Sequence, residues 1–271
     1  MELAIAVAQV DVEENAPEVN LARAAQLVKA AAGEAAVIVF PENFIQGHVR
    51  GNEELVDFEG RYRERFRELA RTHEIDIVPG SIVEGERRGW FNTTYYIDSR
   101  GTVKARYRKI NLFLTEADNI THGNEVAVAD TAHGRVGLAI CWDLAFPEIF
   151  RRMAAKGAQI VFCPSYWSYE DAGPGLEYDR EAEIKFVDSL CVARAFENEM
   201  CIVFCNPAGE RRREGSTQSI GHSQIALPFV GAVKKLAQQE EMFVQRVDTA
   251  ILDVAEDAYK IRRDLATRIL W

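Results

Sequence analysis

Residues 136–163, VGLAICWDLAFPEIFRRMAAKGAQIVFC, decide the fold class. Val136 to Ile140 form a short apolar run of strand length, and that run delivers Cys141. A helix is expected from about Pro147 to Lys156. A second apolar strand then spans 158–163 and stops at Pro164. Strand, helix and strand in this order give a helical crossover.

The same alternation extends outward in both directions. Near the start, Leu3, Ile5 and Val7 share one face of a strand, and Ala4, Ala6 and Ala8 share the other. A helix opens near Pro17, with Leu21, Ala24, Ala25, Val28 and Ala32 at helical spacing and Gly33 as its stop. Residues 36–40 form a wholly apolar strand, as expected where both faces are covered. A helix over 58–72 and a strand over 75–83 follow. Residues 90–97 and 102–108 read as a hairpin turning on Asp98-Ser99-Arg100-Gly101. Beyond the opening stretch, the pattern predicts a long helix over 178–198 and a strand over 201–205. A second hairpin joins 223–227 to 232–236, a strand covers 242–248, and a final helix covers 254–264. Mixed hairpins and helical crossovers predict a layered α/β sandwich rather than a purely parallel sheet. No repeat, low-complexity tract or linker divides the chain, so a single domain over 1–271 is expected.

Composition narrows the function. Of 271 residues 48% are apolar, enough to bury a sizeable core and too many for a disordered chain. Thirty-two basic residues against forty-two acidic ones give a net charge of -10, which disfavours nucleic acid as a partner. The dense basic run at 211–213, between Gly209 and Gly215, reads as a solvated loop. The opening MELAIAVAQVDVEEN is too acidic for a signal peptide, and no apolar run approaches the roughly 20 residues that cross a bilayer. A soluble, cytoplasmic protein without a membrane partner is expected. Five cysteines without a CxxC pair, and five scattered histidines, predict neither a disulfide framework nor a metal site, and no cofactor.

Three chemically capable residues each follow a predicted strand: Glu42 after AAVIVF, Lys109 after TVKARYR and Cys141 after RVGLAI. Loops at strand ends converge on one edge of a layered α/β protein, and ligands gather there. Alone, Cys141 reads as a small core residue, Glu42 as an exposed acid and Lys109 as a solvated base. Together they suffice for attack on an amide. A free thiol ionises near pH 8.5, so only a small fraction is thiolate at neutrality. A neighbouring carboxylate takes the thiol proton and later returns it to departing ammonia. A neighbouring ammonium stabilises the thiolate and the oxyanion, one such donor contributing roughly 3 kcal/mol in a dry site.

The segments FPENF, YRKINLF and CWDLAFPE, in that order, resemble the signatures of the nitrilase superfamily of carbon–nitrogen hydrolases. The opening AVAQVDV and the blocks FNTTYYID, PSYW, ARAFENEMCIVFCN and GHSQIALP resemble its other conserved stretches, so the resemblance covers nearly the whole chain. It implies a four-layer α-β-β-α sandwich. It also implies Glu42 as general base and acid, Lys109 as oxyanion and thiolate stabiliser, and Cys141 as nucleophile. The backbone N–H of Trp142 becomes the second oxyanion donor, and Glu116, seven residues after the lysine, orients Lys109 or the substrate amide. A homodimer packed through helices is implied. The long helix bearing Phe186, Leu190 and Ala193, with Ile269, Leu270 and Trp271, offers apolar contact for it.

Departures from the family pattern bear on substrate. Ala145 stands where many members acting on acids carry arginine, which points away from a carboxylate at that place. Asp143, where narrow-sense nitrilases often have glutamate, leans towards amides over nitriles. His48, with Phe146, Tyr166 and Trp167, is a candidate for the pocket wall. The expected activity is hydrolysis of a small neutral or aromatic linear amide through a cysteine thioester, releasing ammonia. A nitrilase or an N-carbamoyl amidohydrolase of the same family is the alternative. A catalytically silent binding module is a more distant one.

Overall fold

The computed structural model describes residues 2–209 and 217–267. The basic run at 211–213 and the apolar residues Ile269, Leu270 and Trp271 lie outside them.

The first strand, β1 (Glu2–Gln9), has the two faces that its alternation predicts. Leu3, Ile5 and Val7 point into the core shared by two sheets, whereas Ala6 and Ala8 point into a second core beneath helices. Small side chains on that face let α1 (Pro17–Ala31) lie close, with Ala24 and Val28 fully buried against it. There follow β2 (Val37–Val39), α2 (Arg61–His73), β3 (Asp76–Val78), β4 (Ile82–Glu86), β5 (Gly89–Ile97) and β6 (Val103–Arg108).

The single strand expected over 75–83 is thus two strands, parted at Pro79-Gly80. Gly80 has φ +79°, a left-handed conformation that side chains disfavour, and its backbone presses on Pro41. A β-carbon there would stand 1.9 Å from the Pro41 carbonyl oxygen.

The second half comprises β7 (Ala127–Thr131), β8 (Gly134–Leu138), α3 (Pro147–Ala155), β9 (Ile160–Pro164), α4 (Ala182–Asn198), β10 (Cys201–Cys205), β11 (Gln224–Leu227), β12 (Gly231–Lys235), β13 (Glu241–Asp248), α5 (Ala250–Tyr259) and α6 (Ile261–Thr267). Three differences from the sequence pattern have local causes. β7 is a half-exposed edge strand, too weakly alternating to be read in advance. The helix expected from 178 starts at Ala182, behind 3-10 turns over Tyr169–Glu177 that contain Gly173 and Pro174. The last helix is two helices, broken where Lys260 turns left-handed at φ +60°.

The first sheet runs β13-β1-β2-β3-β5-β4, with β6 on the other edge of β5. The second runs β12-β11-β10-β9-β8-β7. β1, β2 and β3 are mutually parallel, as are β8, β9 and β10, and antiparallel strands flank each trio. The sheets face each other across Val7, Val39, Tyr96, Leu138, Phe162 and Phe204. α1 and α2 cover the outer face of the first sheet, and α3 and α4 cover that of the second. This is the four-layer α-β-β-α sandwich. Among the described residues no helix is long and apolar enough to cross a membrane.

Because Gly80 supports the turn that carries Glu42, Gly80→Ala combines a clash with an unfavourable φ. It is expected to lower stability by about 1–3 kcal/mol, measured by urea denaturation. An unchanged midpoint would show that the Pro41 contact is not tight.

Candidate active site

The sandwich brings Glu42, Lys109 and Cys141 to one cavity of about 510 Å³. Glu42 lies three residues beyond β2, Lys109 directly after β6, and Cys141 three residues beyond β8. The first two leave one sheet and the third leaves the other, so the cavity sits across the seam between them. Backbone hydrogen bonds fix the approach. The Glu42 N–H donates to the Ser165 carbonyl beyond β9 (3.1 Å), and the Lys109 N–H donates to the Asn92 carbonyl in β5 (2.9 Å).

The Lys109 ammonium lies between two carboxylates, 2.9 Å from Glu42 Oε1 and 2.7 Å from Glu116 Oε2. Asn92 Nδ2 donates to the same two groups, to Glu42 Oε1 at 2.8 Å and Glu116 Oε1 at 3.1 Å. The Phe113 N–H donates to Glu116 Oε2 at 2.9 Å. Glu42 and Lys109 are each only 2% exposed. Burial pushes the ammonium towards neutrality, but Glu42 and then Glu116 outweigh it and hold Lys109 well above the usual lysine range. Burial raises Glu116 too, yet Lys109 and the hydrogen bonds from Phe113 and Asn92 bring it below the ordinary carboxylate range. A charged triad persists where isolated charges would not.

Cys141 adopts φ +47°, a left-handed conformation that is costly for a side chain with a β-carbon. Asp143, two residues on, secures this turn. It is fully buried and accepts four hydrogen bonds: from Tyr107 Oη (2.7 Å), Asn111 N–H (2.9 Å), Asn111 Nδ2 (3.0 Å) and the Ile140 N–H (2.9 Å). Asp143 therefore ties the cysteine turn to the segment that carries Lys109. It does not line the cavity, so the lean towards amides read from its identity has no contact with substrate behind it.

The thiol is pushed well above its usual range, by burial first and by the Glu42 charge second. Lys109 and a hydrogen bond from the Tyr166 N–H pull the other way. At rest the sulfur holds its proton, beside a carboxylate able to accept it. Behind it, burial lifts the Cys163 thiol to about 12. Cys191, Cys201 and Cys205 are buried as well, as core residues are.

Of the other residues singled out in the sequence, Glu116, Trp142, His48, Tyr166 and Trp167 line the cavity. His48 Nδ1 lies 2.9 Å from Glu14 Oε1, and its N–H donates to Glu14 Oε2 (2.8 Å), so Glu14 fixes the ring that packs edge-on against Tyr166. Phe146 is a correction. It does not line the cavity but packs edge-on behind Trp142, with ring centroids 6.2 Å apart. Ala145 is also absent from the lining. Phe186, expected at a dimer contact, also touches Trp142 and Trp167 from α4. Sequence reading missed Asn92, although an asparagine inside a β-rich run is itself a signal. It also missed Arg50, Phe113, Asp118 and Asp171, which line the cavity from irregular segments with no periodicity to betray them. Among the described residues no cluster suited to a metal ion occurs.

Comparison with known proteins identifies the family. The family model described as carbon-nitrogen hydrolase matches residues 4–259. The chain is 29% identical over 262 residues to the 2-oxoglutaramate amidase of Bacillus subtilis, covering 95% of this chain and 93% of that one. It is 30% identical to the deaminated glutathione amidase of Dictyostelium discoideum, over 79% of this chain and 77% of that one. The crystal structure of a carbon-nitrogen hydrolase from Helicobacter pylori superposes with a TM-score of 0.88 at 18% identity, covering 97% and 95%, and shares the fold.

Two outcomes follow from the site's electrostatics. Asp143→Ala strands several buried donors and is expected to cost about 3 kcal/mol of stability. Asp143→Asn, which keeps the shape, should cost less, and chemical denaturation of the pair reads the difference. Alkylation of Cys141 by iodoacetamide should keep accelerating past the ordinary thiol value of about 8.5. In Glu42→Gln the charge that raises the thiol is gone, so the curve should shift to lower pH. A shift upward, or none, would refute the part assigned to the Glu42 charge.

Proposed function

Since the chain belongs to the carbon–nitrogen hydrolase family, within the nitrilase superfamily, we propose that it hydrolyses a small linear amide through a thioester on Cys141, releasing ammonia. The observation that supports this most is the Lys109 ammonium, gripped by Glu42 and Glu116 in the cavity that Cys141 also lines.

In this reading the Cys141 sulfur attacks the amide carbon while Glu42 takes the thiol proton. This suits a thiol that is protonated at rest. The carbonyl oxygen becomes an oxyanion facing the Lys109 ammonium and the Trp142 backbone N–H. As the tetrahedral intermediate collapses, the C–N bond breaks and Glu42 returns the proton to the departing nitrogen, which leaves as ammonia. Glu42 then deprotonates water, which attacks the thioester. The acid departs and the sulfur recovers its proton. Glu116 keeps its charge and holds the ammonium in place. Asn92 donates to Glu42 and Glu116 together, which fixes the base relative to the ammonium.

Amide chemistry is favoured over nitrile chemistry by the relatives named as amidases. The working unit is proposed to be one domain and, in solution, a homodimer.

Intact-protein mass spectrometry after incubation with mixed amides tests the mechanism. An acyl adduct that maps to Cys141 is expected. Lys109→Met should lower kcat by about 10²–10³-fold, and Glu42→Gln by about 10²–10⁴-fold. An adduct on another residue, or turnover by Cys141→Ala, would refute the reading. If nitriles are turned over and amides are not, the amide assignment fails while the cysteine mechanism stands.

A further inference from the structure

The cavity carries more negative charge than the proposed chemistry uses. Glu42 and Glu116 share the single Lys109 ammonium, and the rim residues Arg50 and Asp118 are exposed, opposite in sign and open to screening by salt. Asp171 is different. It lines the same cavity from the 3-10 turns over Tyr169–Glu177, on a loop following β9. Its side chain accepts from the Ser168 N–H at 2.7 Å and from the Ser168 hydroxyl. Among the described residues no ammonium or guanidinium pairs with it.

The surroundings of Asp171 add a second feature. Trp142, Tyr166, Trp167 and Phe113 form an aromatic wall of the cavity. The Trp142 ring lies 5.4 Å from that of Trp167 and 4.9 Å from that of Phe113. Trp167 is itself oriented by a hydrogen bond from its Nε1 to Glu183. Aromatic faces attract cations through the ring quadrupole, which is negative over the face, and the attraction grows when water is excluded. Among the described residues the basic group that acts on Asp171 is the His48 imidazole, which Glu14 already engages. A half-buried carboxylate with no ammonium or guanidinium partner there, beside such a wall, is complementary to an organic ammonium and repels a carboxylate.

We infer that Asp171 and the aromatic wall form a subsite for a cationic group on the acyl part of the substrate, making a protonated amino-alkyl amide the preferred class. The inference rests on the proposed amide chemistry and specifies its substrate. It also gives the Asp171 charge a role in the reaction. That charge reaches Cys141, where it opposes loss of the thiol proton, as Glu42 does. A substrate ammonium beside Asp171 cancels it at the moment of attack. A neutral amide leaves it in place, and an anionic one adds to it.

Asp171 also serves the backbone, because its bond to the Ser168 N–H closes the turn. Asp171→Asn is the suitable variant, since its amide oxygen retains an acceptor for that N–H while the charge is lost. The first measurement needs no turnover. Binding of pentylammonium, pentan-1-ol and pentanoate to the resting enzyme is followed by tryptophan fluorescence. Pentylammonium should bind at least tenfold more tightly than pentan-1-ol, pentanoate should bind weakest, and Asp171→Asn should bring the ammonium-to-alcohol ratio close to one. Equal binding of the three, or a preference that survives Asp171→Asn, overturns the subsite.

The second measurement compares kcat/KM for 5-aminopentanamide and for pentanamide. A preference of tenfold or more for the amine, lost in Asp171→Asn, is expected. If pentanamide is preferred, the subsite is wrong and the amide chemistry stands. If neither amide acylates Cys141 while pentylammonium still binds through Asp171, the amide chemistry is wrong and the subsite stands.

Discussion

The Lys109 ammonium is the constraint around which the site is organised. A lysine with 2% exposure is tolerable only beside compensating negative charge, and here that charge comes from two directions. Glu42 arrives on the turn after β2, and Glu116 on the 3-10 turn after β6. Asn92, inside β5, then ties the two carboxylates to each other. Four separate parts of the chain must be in register for that network to close. β2, in the parallel trio of the first sheet, delivers Glu42, and the hairpin of β5 and β6 carries Asn92 and Lys109 side by side.

The same network governs what the thiol does. Lys109 alone would favour a thiolate at rest, as in cysteine sites built on a neighbouring cation. Burial reverses this, and the Glu42 charge adds to it, so that together they outweigh the ammonium. In the proposed reaction, proton transfer then coincides with attack rather than preceding it. A buried thiol that keeps its proton until substrate arrives is also protected from adventitious oxidation, which acts on the thiolate.

Much of this was legible in the sequence, and the reasons are physical. The alternation in Leu3–Ile5–Val7 against Ala6–Ala8 foretold which face meets the other sheet, because side-chain volume decides which layer can pack there. The strand ends that deliver Glu42, Lys109 and Cys141 could be placed to within a few residues. Breaks that depend on a distant contact were not legible. Pro79-Gly80 divides a strand because Gly80 abuts the Pro41 carbonyl, far away in sequence. The cavity's outer wall was poorly legible too. Phe146, read as wall, lies behind Trp142, while Asp171 and Arg50 come from irregular loops whose approach only the folded chain reveals. Asp143 was noticed for its identity, yet its part is to hold the turn.

The turn at Cys141 is strained and has to be held. A cysteine at φ +47° costs on the order of 1–3 kcal/mol against an ordinary backbone. The conformation reverses the chain straight after an apolar run, at the edge where the cavity opens. Asp143 accepts from the Ile140 N–H, immediately before the strained residue, and from Tyr107 and Asn111, on either side of Lys109. One buried carboxylate thereby offsets the strain at Cys141 and sets its distance from the ammonium. Burial raises the Asp143 carboxyl, while the hydrogen bonds from Asn111, Ile140 and Tyr107 work to keep it charged. The cysteine turn and the segment that holds the Lys109 ammonium are in this way one structure. A change that loosens the cysteine turn must also displace the segment carrying Lys109, so stability and proposed catalysis are coupled through a residue that does not line the cavity.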